Sequence, residues 1–265
     1  GNYMRKAIIP AILTAILITA APFSGCTIMG SGDIVTAQMD IADFTSVDVQ
    51  DTFEVEITQS DSFSVVVSAD KDTYDYVRVS REGETLKVYL NPRNIFADFT
   101  VKSRTLKATI TMPALYGLSL SGATKGTVSG FKSSDNVSVI VSGASSLDMS
   151  DIEVDDVELE VSGESKVTGG VKANYTKLAV SGASKVELEG TANGVVLNAS
   201  GASHADLSYF PVSRANVTLS GASETTIDVK ERLDCVVSGA SALYFLGNPT
   251  IGNISLSGAS TVKHK

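Results

Sequence analysis

The sequence predicts an all-β protein built as a parallel β-helix, a solenoid of about eight coils behind an N-terminal β cap, and three observations predict it. A Ser-Gly phrase recurs eight times, at Ser121, Ser142, Ser162, Ser181, Ser200, Ser220, Ser238 and Ser257, at intervals of 18 to 21 residues. The residues three and one before each Ser are apolar, as in Leu118 and Leu120, Leu178 and Val180, or Cys235 and Val237. That period of two is the signature of a strand. The repeats are also rich in Val, Ser, Thr and Gly and carry no 3.6-residue pattern, which disfavours a helical solenoid. A leucine-rich repeat lacks support as well, because its fixed Asn and leucine spacing are missing.

Each element of the repeat follows from its residues. After the Ser-Gly bend, apolar residues return at the fifth and seventh places in most copies, as in Leu147 and Met149 or Val186 and Leu188, so a second strand follows. Glycine suits the bend because it takes positive φ without a Cβ clash. The third part of each repeat holds turn formers, such as Gly169-Gly170, Ala192-Asn193-Gly194 and Gly247-Asn248-Pro249. About twenty residues at roughly 3.3 Å each make one wide turn of chain, and turns stacked at roughly 4.8 Å pair each strand with its copy in parallel. One repeat cannot bury its own apolar face, so neighbours above and below are required.

Glu164 occupies the slot that Ala fills in the other seven copies. A carboxylate is not buried unpaired, so this slot is expected to face solvent. The Ser or Thr one place later then points inward, where stacked hydroxyls satisfy one another. The eight corner serines and their alanines form an outward stripe, read either as a docking surface or as the small residues that a tight corner accepts.

Residues 1–25 read as a lipoprotein signal peptide. Arg5 and Lys6 precede an apolar run from Ala7 to Ala21, too short to span a bilayer. Phe23-Ser24-Gly25-Cys26 resembles a bacterial lipobox, with Phe23 where Leu is usual, so Cys26 is the expected lipid attachment site. The alternative is ordinary cleavage that leaves Cys26 a plain thiol. No acid directly follows Cys26 in Thr27-Ile28-Met29; an acid there resembles the retention signal for inner membranes in some bacteria or a surface-export signal in others, so outer-membrane attachment is expected, on either face. The chain carries a formal charge of -9. Removing the signal takes away Arg5 and Lys6 and no acids, leaving 19 basic against 30 acidic residues. Such a surface argues against nucleic acid as a partner.

Residues 26–113 read as the N-terminal β cap and 114–265 as the coils, the two continuous as one domain. In the cap, Val47, Val49, Phe53, Val55 and Ile57 alternate, Ser64 to Ser68 is a short apolar run, and residues 77–79 and 86–90 flank Glu82-Gly83-Glu84 as a hairpin would. Lys71 to Tyr76 is a candidate helical turn. Asn91 to Thr100 reads as a loop whose Phe96 and Phe99 cover the end of the core. A stack needs such a terminal unit to hide its strand edges.

Four stretches taken together resemble the bacterial head GIN domain family of auto-transporter adhesins: Gly30-Ser31-Gly32-Asp33-Ile34, Phe53-Glu54-Val55-Glu56-Ile57, Ile110-Thr111-Met112-Pro113-Ala114-Leu115 and the Ser-Gly series. The resemblance covers roughly residues 30 to 263. It implies a secreted or lipid-anchored envelope protein of right-handed β-helical form, and it brings no catalytic residues.

Catalytic equipment is sparse. The two histidines are His204, at a solvent place of its repeat, and His264, at the penultimate residue, where fraying is expected. Neither a His-based metal site nor a Ser-His-acid triad is expected. Cys235 sits at an inward strand place and reads as a small buried apolar residue. The acidic run from Asp148 to Glu160 offers oxygen ligands for Ca²⁺, but alternation sends most of them outward, and a solvated face is the stronger reading. Polysaccharide lyases and hydrolases use paired carboxylates. The sixth place of the repeats reads Thr127, Asp148, Thr168, Glu187, Asp206, Thr226, Tyr244 and Lys263, so Glu187 and Asp206 are the one adjacent acid pair.

The functional expectation is a non-enzymatic envelope lipoprotein, without cofactor or metal, offering its side to glycan or protein. The alternatives are a polysaccharide-active enzyme working in a side groove and a self-associating scaffold joined through the corner stripe or a terminal edge. A concave patch that collects acids and aromatics is the feature on which the enzyme reading depends.

Overall fold

The computed structural model describes residues 28–31, 33–91 and 105–265. Cys26, Phe96 and Phe99 lie outside the described residues. Strands make up 67% of the chain and helix 2%, in parallel stacked coils of a β-solenoid.

Two parallel ladders meet at the corner. The strands before it are Ser46–Val49, Gly117–Leu120, Val137–Val141 and Asp156–Val161, then the second halves of Lys166–Val180, Lys185–Ala199, His204–Leu219 and Glu224–Val237, and last Thr250–Leu256. The strands after it are Glu54–Gln59, Lys125–Ser129 and Ser146–Glu153, then the first halves of the four long strands, and last Ala242–Leu246 and Thr261–His264. Alternation places Leu159, Leu178, Leu197 and Val217 inside, over Val167, Val186, Ala205 and Leu207 of the facing ladder, all buried. That column of Val, Leu, Ile and Ala is the core, and burying it is the dominant stabilising term.

The corners stack as the period requires. The N–H of each residue after the glycine donates to the glycine carbonyl of the coil before it, at 2.7 Å from Ala144 to Gly122 and 2.8 Å from Ala183 to Gly163. All eight glycines have positive φ, from 70° to 78°. Glu164 is exposed as expected, and the next place is the buried hydroxyl column of Thr124, Ser145, Ser165, Ser184, Ser203, Ser223 and Ser241. The hydroxyls bond mostly to backbone. Thr124 Oγ1 donates to the Ser121 carbonyl at 2.8 Å and Ser223 Oγ to that of Ser220 at 2.9 Å, whereas Ser223 and Ser241 meet hydroxyl to hydroxyl at 3.2 Å.

The start of the stack differs from the sequence reading in one respect. Residues 46–59 are a coil in phase with the others, with Val47, Val49, Val55 and Ile57 in the inward places and Gln50-Asp51-Thr52 as the corner. Asp51 takes the glycine's place with φ of 71°, and the Ala123 N–H donates to its carbonyl at 2.5 Å. Coil order and chain order then part. Thr85–Leu90 and Leu106–Met112 pair in parallel with the outer side of this first coil, although they come later in the chain. The chain runs through the first coil, out into the cap, back as the outermost layer, and across residues 113–116 to the next coil. The Tyr116 N–H donating to the Thr45 carbonyl at 2.7 Å holds that crossing. Antiparallel strands Ser64–Asp70, Ile34–Met39 and Ile28–Ser31 extend the ladder after the corner and Val77–Glu82 extends the one before it, with a helical turn at Lys71–Tyr74 and the pair Phe44 and Phe63 at 4.9 Å closing the end. These layers cover this end of the core.

Candidate binding groove

The sixth-place column is realised residue for residue. Thr127, Asp148, Thr168, Glu187, Asp206, Thr226, Tyr244 and Lys263 are successive partners in the ladder after the corner. Where this ladder bends towards the third side, the coils carrying Asp148 to Tyr209 enclose a groove of about 570 Å³. Its floor includes Gly169 and Gly170, which contribute no side chains, beside Met149 and Leu188; its walls carry Asp148, Asp151, Glu187, Glu189 and Asp206. A bulge at residues 149–152 widens it, with Asp151 at φ of 53°. A second hollow of about 510 Å³ continues from it, sharing Asp151, Gly170, Glu189 and Tyr209.

Tyr209 stands at this mouth, 79% exposed, and is paired in register with Glu189. Such exposure is unusual for a tyrosine, because a ring buries much apolar surface when it packs. The concave patch of acids and an aromatic is therefore present.

Two of its carboxylates, Glu187 and Asp206, are held in the ionised form. Lys185 and Lys166 both reach Glu187, the latter at 3.4 Å, and the hydrogen bond from Lys185 does most to hold Glu187 below the ordinary carboxylate range. Burial pushes the Asp206 carboxyl up, but the Ser208 hydroxyl and its N–H at 3.0 Å overcome this, and the net effect holds it low as well. Asp148 accepts from Thr168 Oγ1 at 3.1 Å, and Lys132 pairs with Asp151 at 3.0 Å. Among the described residues no group of three or more His, Cys, Asp or Glu side chains is placed to hold a metal ion. The acidic run points outward in alternation, where Glu153 pairs with Lys172 at 2.7 Å and Glu158 with Lys177 at 2.6 Å.

Residues 43–249 match the family described as "Putative auto-transporter adhesin, head GIN domain". The chain belongs to the head GIN domain family. No curated protein matches it. Among solved structures, it is similar to a putative lipid binding protein from Parabacteroides distasonis, at 17% identity and a TM-score of 0.81. A putative adhesin from Parabacteroides merdae, at 17% identity, gives a TM-score of 0.78, and one from Bacteroides fragilis, at 19%, gives 0.64. Each alignment covers 89% of this chain and 98% of the other. At these identities the likeness shows the fold.

The other sequence candidates of this head GIN domain lie outside the groove. The corner serines from Ser121 to Ser238 are half-buried and their glycines and following residues exposed, forming a continuous, nearly uncharged column away from the groove; Ser257 is exposed. Cys235 is buried, and burial pushes its thiol up. His204 is half-exposed, with Nδ1 3.8 Å from Glu224. His264 does not fray: it lies in a strand paired with the coil before it, its ring 5.0 Å from Phe245 and its Nε2 2.7 Å from the Gly247 carbonyl oxygen. Tyr209 was not among the sequence candidates. Its signal was an aromatic at an outward place of an alternating strand. Among the described residues no helix is long and apolar enough to cross a membrane.

Proposed function

We propose that this chain is an exported, non-enzymatic adhesin of the bacterial envelope that binds glycan along its acidic side groove and is held to the outer membrane by lipid on Cys26. One observation carries the reading: a highly exposed Tyr209 stands over a groove whose paired acids are both held ionised. Glycoside hydrolysis needs two carboxyls pushed apart, one protonated to serve as acid and one ionised. Glu187 and Asp206 are pulled the same way, and Glu187 is further occupied by two lysines. Carboxylates of this kind accept hydrogen bonds from sugar hydroxyls, while an exposed ring stacks on the apolar face of a pyranose. The adhesin names of the family and of two fold neighbours support a binding role, and a surface or exported protein is in keeping with them.

The reading is tested by incubating the soluble form lacking residues 1–26 with a panel of cell-wall and plant glycans. Retention of glycan without new sugar products, weakened about tenfold in Tyr209→Ala, is the expected result. Release of sugar products would overturn it. Lipidation is tested separately by labelling cells with a fatty-acid analogue; label equal in the parent and Cys26→Ala would refute the anchor.

A further inference from the structure

A recess of about 340 Å³ opens on the neighbouring face of the same coils, across the bend at Asp155, Asn174 and Asn193, and shares no residue with the acidic groove. Tyr175 and Tyr116 line it, 56% and 42% exposed. Tyr175 is paired in register with Asp156 on one side and Gly194 on the other. A Cβ at Gly194 would lie 2.6 Å from the tyrosine Cε1 and 2.7 Å from its Cδ1. The ring therefore leans over the next coil, in the place that glycine leaves empty, and turns a broad apolar surface to solvent. Asp156 steadies it by accepting the Tyr175 N–H at 3.1 Å. Tyr116 lies three coils away, about 14 Å at the spacing of paired strands. Polar groups fill the interval, chiefly Asn136, Ser138 and the ion pair of Glu158 with Lys177 at 2.6 Å.

The pattern selects its occupant. The strands of this face that carry the recess are paired on both sides, so no backbone edge is free to take a peptide strand. The two rings and Val196, 43% exposed beside Lys177, are broken up by polar groups and do not make the continuous apolar centre of a protein interface. They do match an oligosaccharide, whose sugar rings present apolar faces at intervals along a hydroxyl-rich chain. Lys177 is already matched by Glu158, which leaves no free cation among the described residues lining the recess for an acidic sugar.

We propose that this face is a second carbohydrate subsite, taking a neutral, extended oligosaccharide that runs along the solenoid axis with one ring stacked on Tyr175 and another at Tyr116. It shares a ligand class with the groove reading and none of its residues. With both faces engaged, one chain holds a glycan polymer at two points, and the second contact gains effective concentration from the first.

The test is calorimetric titration of the soluble form lacking residues 1–26 with cellohexaose, xylohexaose, maltohexaose and laminarihexaose, with melting curves to verify folding. The expected result is a binding component weakened about tenfold by Tyr175→Ala, retained in Tyr175→Phe, and untouched by Tyr209→Ala. Gly194→Ala keeps the ring but lifts it from its seat, and is expected to weaken the same component; should it fail to fold, the Ala and Phe variants at Tyr175 decide. Binding abolished by Tyr209→Ala and indifferent to Tyr175→Ala would overturn the subsite and leave the groove reading standing. No binding of any of the four hexasaccharides would overturn the subsite, while retention of other glycans in the panel would still uphold the groove.

Discussion

A methyl group on Gly163 would sit 2.3 Å from the Gly143 carbonyl oxygen, at a residue whose φ is 78°. The corner glycine thus answers two demands, a left-handed backbone and the close approach of the coil before it. Gly163→Ala is expected to destabilise the fold by about 2–4 kcal/mol. Gly130→Ala, at a φ of 80° with nothing within 4 Å, is expected to lose only about 1–2 kcal/mol; equal denaturation midpoints for the two variants would contradict this account. Asp206 offers a pH test. Its carboxyl is held low in the folded chain, so folding favours the ionised form. The stability it adds is complete above the unfolded value of about 3.9 and is lost as pH falls through the lower folded value. The difference in melting temperature between the parent and Asp206→Asn should be constant above about pH 5 and shrink below about pH 4. Cys235 should resist maleimide in the native chain and react on unfolding, since it is buried and its thiol is pushed up.

At the scale of the element, the sequence was legible wherever a place in the repeat has one physical job. The inward hydroxyls, the outward Glu164 slot and the eight-member sixth-place column all stand where the alternation puts them. The first corner was not legible by its letters, because Gln50-Asp51-Thr52-Phe53 shares none with Ser-Gly-Ala-Ser. Its signal lay in the apolar places instead, Val47 and Val49 before it and Val55 and Ile57 after it, at the same offsets as in most other coils. Asp51 holds the left-handed position and uses its side chain as well, accepting the Leu90 N–H at 2.7 Å from the outer layer. The hydroxyl column invites a direct measurement. Ser184→Ala, which removes a hydroxyl donating to the Gly163 carbonyl at 3.3 Å and accepting from the Ser165 N–H at 3.4 Å, is expected to cost about 1 kcal/mol in chemical denaturation.

For the whole molecule, the consequence of stacking is that each coil meets only its neighbours. Removing residues 182–200 joins Ser181 to Gly201 and deletes one full coil in phase, so the shortened chain should fold, keep its β circular dichroism and melt some degrees lower. Removing residues 182–190 breaks the phase and should leave an aggregated or unfolded product; a folded one would refute nearest-neighbour stacking. The cap resists such editing, since its outermost layer comes from residues that follow the first coil in the chain.

The sequence by itself determined the coil: which residues face inward, where the corner falls, and which side chains share a column, because a period of two within a period of about nineteen leaves each place one orientation. Only the tertiary structure decided the order of the first coils and the hollows on the side. Chain order carries no information about which layer an inserted segment covers, and concavity arises where bulges and glycines of adjacent coils coincide, which no single repeat encodes.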